Sequence, residues 1–144
     1  MVSPLDIEVA HGIRDLVSKM GRRLRKQISN PEQMSVAELN VLYLMITTEE
    51  MLPSELGAQL NISSQYMSQV LNHLEELGFI SRKPSPKDKR KTFAVLTAKG
   101  KKKIHATRQE REEWLAEQVS KQYSAKDKEL IQKAIKLILV LAEP

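Results

Sequence analysis

Eight polar side chains crowd one short stretch of the chain: Ser63, Ser64, Gln65, Tyr66, Ser68, Gln69, Asn72 and His73. Hydroxyl, amide and imidazole groups both donate and accept hydrogen bonds. That is the chemistry needed to read base edges in a major groove, where Gln and Asn can pair bidentately with adenine. Tyr66 divides evenly between a core position and a phosphate contact. A second group stands a few residues further on: Arg82, Lys83, Lys87, Lys89, Arg90 and Lys91 around the single acid Asp88. Cations at this density neutralise phosphates. A lone Lys/Arg run is more often just a solvated face, but this one sits beside a groove-type polar face, which favours duplex DNA.

The elements that must position these groups can be read from periodicity. Met67, Val70, Leu71, Leu74 and Leu77 recur at helical spacing, so one side of the segment packs inward and the polar residues face out. Ser63 is placed to cap this helix, and Asn61 to take the left-handed conformation of a tight turn before it. Gly78 stops the helix, Phe79 and Ile80 enter a strand, and Pro84 and Pro86 confine the next residues to a basic hairpin tip. Phe93 and Val95 alternate with Thr92, Ala94 and Leu96 as a half-buried returning strand.

The string LEELGFISRKPSPKDKRKTFAVLTAKG, from Leu74 to Gly100, resembles the winged helix-turn-helix of the multiple-antibiotic-resistance regulator (MarR) family. It is similar to that family's LExxGLV, its P-x-D-x-R wing and the LTxxG that opens the next helix. Several spaced motifs in one order are far more specific than any one of them. The resemblance implies a mainly α fold with a small β-hairpin wing. It implies a winged helix-turn-helix lobe over about 35–97, with dimerisation helices over about 5–28 and 98–142. It also implies that Arg90 enters the minor groove, that Asp88 holds the Arg90 guanidinium, and that the protein is a homodimer. A small-molecule effector would bind where the dimerisation helices meet the DNA-binding lobe. Gln69 and His73 stand where the family often has Arg, so this recognition helix carries no Lys or Arg and the phosphate work shifts elsewhere.

Composition bounds the rest. At 144 residues with a net charge of +5 the chain is one domain by length. Ten basic residues and one acid lie between Arg82 and Lys103, so the remainder of the chain is net negative. The absence of cysteine removes disulfides, thiolate metal sites and thiol redox sensing. No apolar run is long enough for a membrane span, and the N-terminal residues lack a signal-peptide core, so a cytoplasmic protein is expected. His11, His73 and His105 fall in different elements without metal-ligand spacing, and no phosphate loop or nucleophile motif is present. The chain reads as not an enzyme, with no metal and no cofactor.

Around the lobe, a first helix is expected over Leu5–Ile28, with Pro4 near its start. A second begins at Ser35, where Ser35 and Glu38 spell a capping box and Met34 and Leu39 a hydrophobic staple. Thr47–Glu50 reads as a polar turn. A third helix starts after Leu52-Pro53, with either Ser54 as cap or a weak cap. Thr97 caps a long polar fifth helix, and Ser124 with Asp127 caps a last helix that is apolar nearly all round from Leu130 to Leu141. Such a helix needs a partner surface, and a second copy would supply one. Two functions compete. One is a dimeric transcriptional repressor reading a pseudo-palindromic operator in double-stranded DNA. The other is a winged-helix protein-interaction module, which the scarcity of aromatics, six in the whole chain, disfavours.

Overall fold

The computed structural model describes residues 1–143 as six α-helices, a short 3-10 helix at Val140–Ala142 and a small sheet. In chain order these are α1 (Pro4–Arg25), α2 (Val36–Thr48), β1 (Glu50–Met51), α3 (Pro53–Leu60), α4 (Ser64–Glu76), β2 (Ile80–Pro84), β3 (Thr92–Leu96), α5 (Ala98–Gln122) and α6 (Ala125–Leu139). The fold is the mainly helical winged helix-turn-helix expected from the sequence. The chain divides into two compact units, one from Ser29 to Arg108 and one combining Met1–Ile28 with the chain from Gln109 onward.

The unit from Ser29 to Arg108 holds the core. Leu42, Met45, Leu56, Met67, Leu71, Leu74, Ile80 and Ile104 are fully buried, so α2, α3, α4 and the start of α5 close around one apolar centre. The expected signals at α2 operate as read. Ser35 accepts from Glu38 N, Glu38 returns its carboxylate to Ser35 N, and Met34 and Leu39 are both buried across the cap. At α3 the weak-cap reading holds: Leu52 is the cap residue, makes no side-chain bond, and Pro53 occupies the first turn. Asn61 is left-handed, at φ 54°, and Ser63 accepts from Tyr66 N to start α4.

The end of α4 is a Schellman motif. Gly78, at φ 78°, donates to Glu75 O, and Phe79 donates to Leu74 O. Lys99 adds a third bond, from Nζ to Leu77 O at 2.7 Å, with its ammonium 5.1 Å from the Phe79 ring. Thr97 then ties the helix end to α5. Its Oγ1 donates to Gly78 O at 2.7 Å and accepts from Gly100 N at 3.0 Å. Thr97→Val removes both bonds while keeping the shape, and is expected to lower stability by about 1–2 kcal/mol in urea denaturation.

The sheet departs from a simple hairpin. Glu50 and Met51 form an additional edge strand in the order β1-β3-β2, with Glu50 opposite Val95 and Met51 opposite Ala94. The residues read as the end of a polar turn and a helix lead-in are therefore partly strand, because β3 offers an open edge. Likewise α1 ends at Arg25, and Lys26 is its C-cap, short of Ile28.

In the other unit α1 and α6 bury no residue. Each opens with a capping box: Ser3 with Asp6, and Ser124 with Asp127. Backbone and side-chain hydrogen bonds from Ser3 hold the Asp6 carboxyl below its ordinary range, and those from Ser124 do the same for Asp127. Leu130, Ile135, Leu137, Leu139, Val140 and Leu141 are all exposed. On α5, Trp114 lies under the Arg23 guanidinium at 5.0 Å. No helix among the described residues is long and apolar enough to cross a membrane.

Candidate nucleic-acid interface

Two elements of the Ser29–Arg108 unit present the sequence-selected residues. The first is α4. Met67, Val70, Leu71 and Leu74 point into the core, with Leu77 half-buried, and this rotation turns Ser64, Gln65, Tyr66, Ser68, Gln69 and Asn72 to solvent. Ser63 is also exposed, although its hydroxyl is committed to the cap. Ser68 Oγ donates back to Ser64 O, leaving its lone pairs outward. Asn72 Oδ1 accepts from Arg82 Nη2 at 3.1 Å, so the helix and the sheet are braced to one another through a residue of the polar face.

His73 differs from the outward reading. It is half-buried, and its Nδ1 lies 2.6 Å from Glu38 Oε1 on α2. The reason is angular. Along α4, Gln65, Gln69 and His73 form one row at four-residue intervals, which drifts toward α2 as the helix advances. Glu38 was legible as a cap residue, but its second oxygen serves a partner 35 residues away, which no local pattern announces.

The second element is the wing. Arg82 and Lys83 lie in β2 rather than at the tip, which is formed by residues 85–91. The buried Ser85 builds that tip: its Oγ accepts from Lys87 N and Asp88 N, and its N–H donates to Lys91 O. Asp88 Oδ1 then accepts from both Arg90 N, at 3.1 Å, and Arg90 Nε, at 3.3 Å. The arginine is anchored at its base while 91% of its side chain remains exposed. A cleft beside it is lined by Leu52, Pro53, Ser54, Arg82, Arg90, Lys91 and Thr92, which brings three cations to the start of α3.

The basic run is less uniform than its count implies. Lys101 pairs with Glu49 at 2.7 Å, and Lys103 with Glu32 at 2.9 Å. Burial pushes the Glu32 carboxyl upward, but the Lys103 hydrogen bond, its own backbone and the charges of Lys103 and Lys99 hold it below the ordinary range overall. Arg82 faces Glu75 at 3.8 Å and Lys83 faces Glu50 at 3.5 Å. Lys87, Lys89, Lys91 and Lys102 are exposed and have no ion-pair partner among the described residues. Exposed pairs are worth about 0–1 kcal/mol, so releasing Lys83 from Glu50 costs little. The start of α5, in contrast, spends most of its charge inside the fold. Among the described residues no three His, Asp or Glu groups are placed to hold a metal ion.

Comparison with known proteins agrees with this geometry. The sequence profile described as the MarR family matches residues 32–91, the stretch from before α2 to the end of the wing tip. An HTH-type transcriptional regulator of Mycobacterium tuberculosis is 27% identical over 139 residues, covering 96% of this chain and 95% of the relative. A solved Pseudomonas aeruginosa protein, described as a transcriptional regulator, superposes with a TM-score of 0.85 at 28% identity, covering 99% of each chain. A mutant of MepR from Staphylococcus aureus, solved bound to an oligodeoxyribonucleotide, shares the fold with a TM-score of 0.68 at 17% identity, covering 94% of this chain and 98% of that one. Over residues 32–91 the chain is similar to the MarR family, and over nearly its whole length it is similar to HTH-type transcriptional regulators.

Proposed function

We propose that this regulator is a homodimeric repressor that reads a pseudo-palindromic operator, with α4 in the major groove and the Arg90 wing in the adjacent minor groove. One observation carries the reading. The exposed row Ser64, Gln65, Ser68, Gln69 and Asn72 lies in the same unit as a wing whose Arg90 is anchored at its base and whose Lys87, Lys89 and Lys91 are uncommitted. Hydrogen-bonding groups without formal charge read bases, and the cations supply the salt-sensitive phosphate contacts. The similar fold of MepR, solved bound to an oligodeoxyribonucleotide, supports DNA as the partner. The exposed apolar residues of α1 and α6 support a second copy as partner. Control by a small-molecule effector belongs to the same proposal.

Selection of bound duplexes from a random pool, at about 150 mM salt, tests it. An inverted repeat with half-sites about one helical turn apart is the expected product. Enrichment of no sequence, with binding that vanishes as salt rises, would leave nonspecific charge and favour a protein-docking module. On the selected duplex, Arg90→Ala is expected to weaken binding by about 1–2 kcal/mol and to flatten the salt dependence. Unchanged affinity and slope would remove the wing from the mechanism.

A further inference from the structure

We infer that Glu38 and His73 form a proton-linked phosphate contact at the edge of the recognition face. In it Glu38 positions the imidazole and His73 carries the proton that binding takes up. The inference rests on the DNA reading above. Its starting point is a contact that neither the core nor the helix caps require: His73 Nδ1 is 2.6 Å from Glu38 Oε1. The Glu38 carboxylate is fixed by its other oxygen, which accepts from Ser35 N at 2.7 Å, and Glu38 is buried. The His73 side chain remains 39% exposed and continues the row begun by Gln65 and Gln69.

With Nδ1 given to the carboxylate, the opposite ring edge, at Nε2, is the one left for an approaching backbone. In the neutral ring whose Nδ1–H donates to Glu38, Nε2 is a bare acceptor and repels a phosphate oxygen. The imidazolium instead donates from both nitrogens, to carboxylate on one side and phosphate on the other. A phosphate therefore selects the protonated ring, and DNA binding takes up a proton. This row otherwise contains only glutamines, so the protonated histidine supplies the one formal positive charge α4 can offer.

The charged groups on elements packed against α4 are Glu38 of α2, Glu55 of α3, Arg82 and Lys83 of β2, and Lys99 of α5, whose Nζ donates to Leu77 O at the helix end. Glu75 and Glu76 lie on α4 itself. Of these, Arg82 is engaged by Asn72 and Glu75, and Lys83 by Glu50. Among the described residues Glu38 alone is within ion-pair distance of His73.

The sign is fixed by the stoichiometry. Because binding takes up a proton, affinity rises as pH falls. The test is a fluorescence-anisotropy titration of the selected duplex at constant salt between about pH 8 and pH 6. Wild type is expected to gain roughly tenfold in affinity toward the acid end. His73→Gln should be flat, and Glu38→Gln, which keeps a hydrogen-bonding group at the cap, should lose most of the gain. A His11→Gln, His105→Gln double variant should keep the wild-type slope. Calorimetry in buffers of different ionisation enthalpy should show proton uptake in wild type and none in His73→Gln. A flat wild-type profile, or a slope retained by His73→Gln, would overturn the inference. So would an equal loss at every pH in both variants with unchanged urea stability, which is the signature of a structural brace. Failure of every protein to bind the duplex at any pH would overturn the DNA reading itself, and this inference with it.

Discussion

A chain carrying Leu137→Glu and Leu141→Glu is expected to sediment as a monomer and to lose roughly 10²–10⁴-fold in affinity for an inverted-repeat duplex. Both side chains are exposed in the isolated chain, 75% for Leu137 and 73% for Leu141, so neither substitution removes a core contact. In the proposed homodimer their cost falls on assembly. Across a two-fold contact each new carboxylate meets apolar surface and a like charge from the second copy, and a desolvated unpaired charge is expensive. Dimerisation makes binding of the second half-site an intramolecular event, and separating the copies abolishes that advantage without touching α4 or the wing. Far-UV circular dichroism should be unchanged, and binding to a single half-site at low salt should survive. A variant that stays dimeric, or a monomer that holds the full operator with undiminished affinity, would refute the assembly on which the proposed repressor depends.

Most of the lobe was legible because its signals are local. Ser35 with Glu38, Ser63, Thr97, and Ser124 with Asp127 each bond within three residues, so sequence spacing and geometry are nearly the same information. Gly78 is readable for the same reason, since an apolar helix face ending at glycine has few alternatives. The Ser3–Asp6 box carries the same spacing signal, masked by the more conspicuous Pro4 beside it. What was not legible is non-local. The strand at Glu50–Met51 exists only because β3 presents an open edge to it. Glu38 Oε1 and His73 meet across 35 residues, and Lys101 and Glu49 across 52. Counting charges along the chain therefore overstates what the start of α5 offers to DNA, and misses a carboxylate standing behind the recognition helix.

The glycine that ends the LTxxG motif shows how tightly the lobe is closed, and its substitution is the second large effect. Gly100→Ala is expected to destabilise the protein by about 3 kcal/mol, although alanine is the better helix former by about 1 kcal/mol. A Cβ at Gly100 would stand 2.2 Å from Phe79 O, 3.1 Å from Phe79 C and 2.7 Å from Leu96 Cδ1. The leucine methyl can rotate, but the carbonyl cannot withdraw: Phe79 O accepts from Thr97 N at 3.1 Å, and its neighbour Gly78 O accepts from Thr97 Oγ1. Relief of the clash must push α5 away from the end of α4, breaking the Thr97 bonds and loosening the segment that carries the recognition helix into the wing. Gly12→Ala supplies the contrast, since nothing lies within 4 Å of a Cβ there and α1 is helical at that point. It should be neutral or stabilising, by about 0.5–1 kcal/mol. Urea denaturation of the two variants beside wild type separates propensity from collision. If both gain stability, the approach of α5 to Phe79 is yielding rather than fixed; if Gly100→Ala alone falls, the motif glycine is there because backbone occupies the place of a side chain.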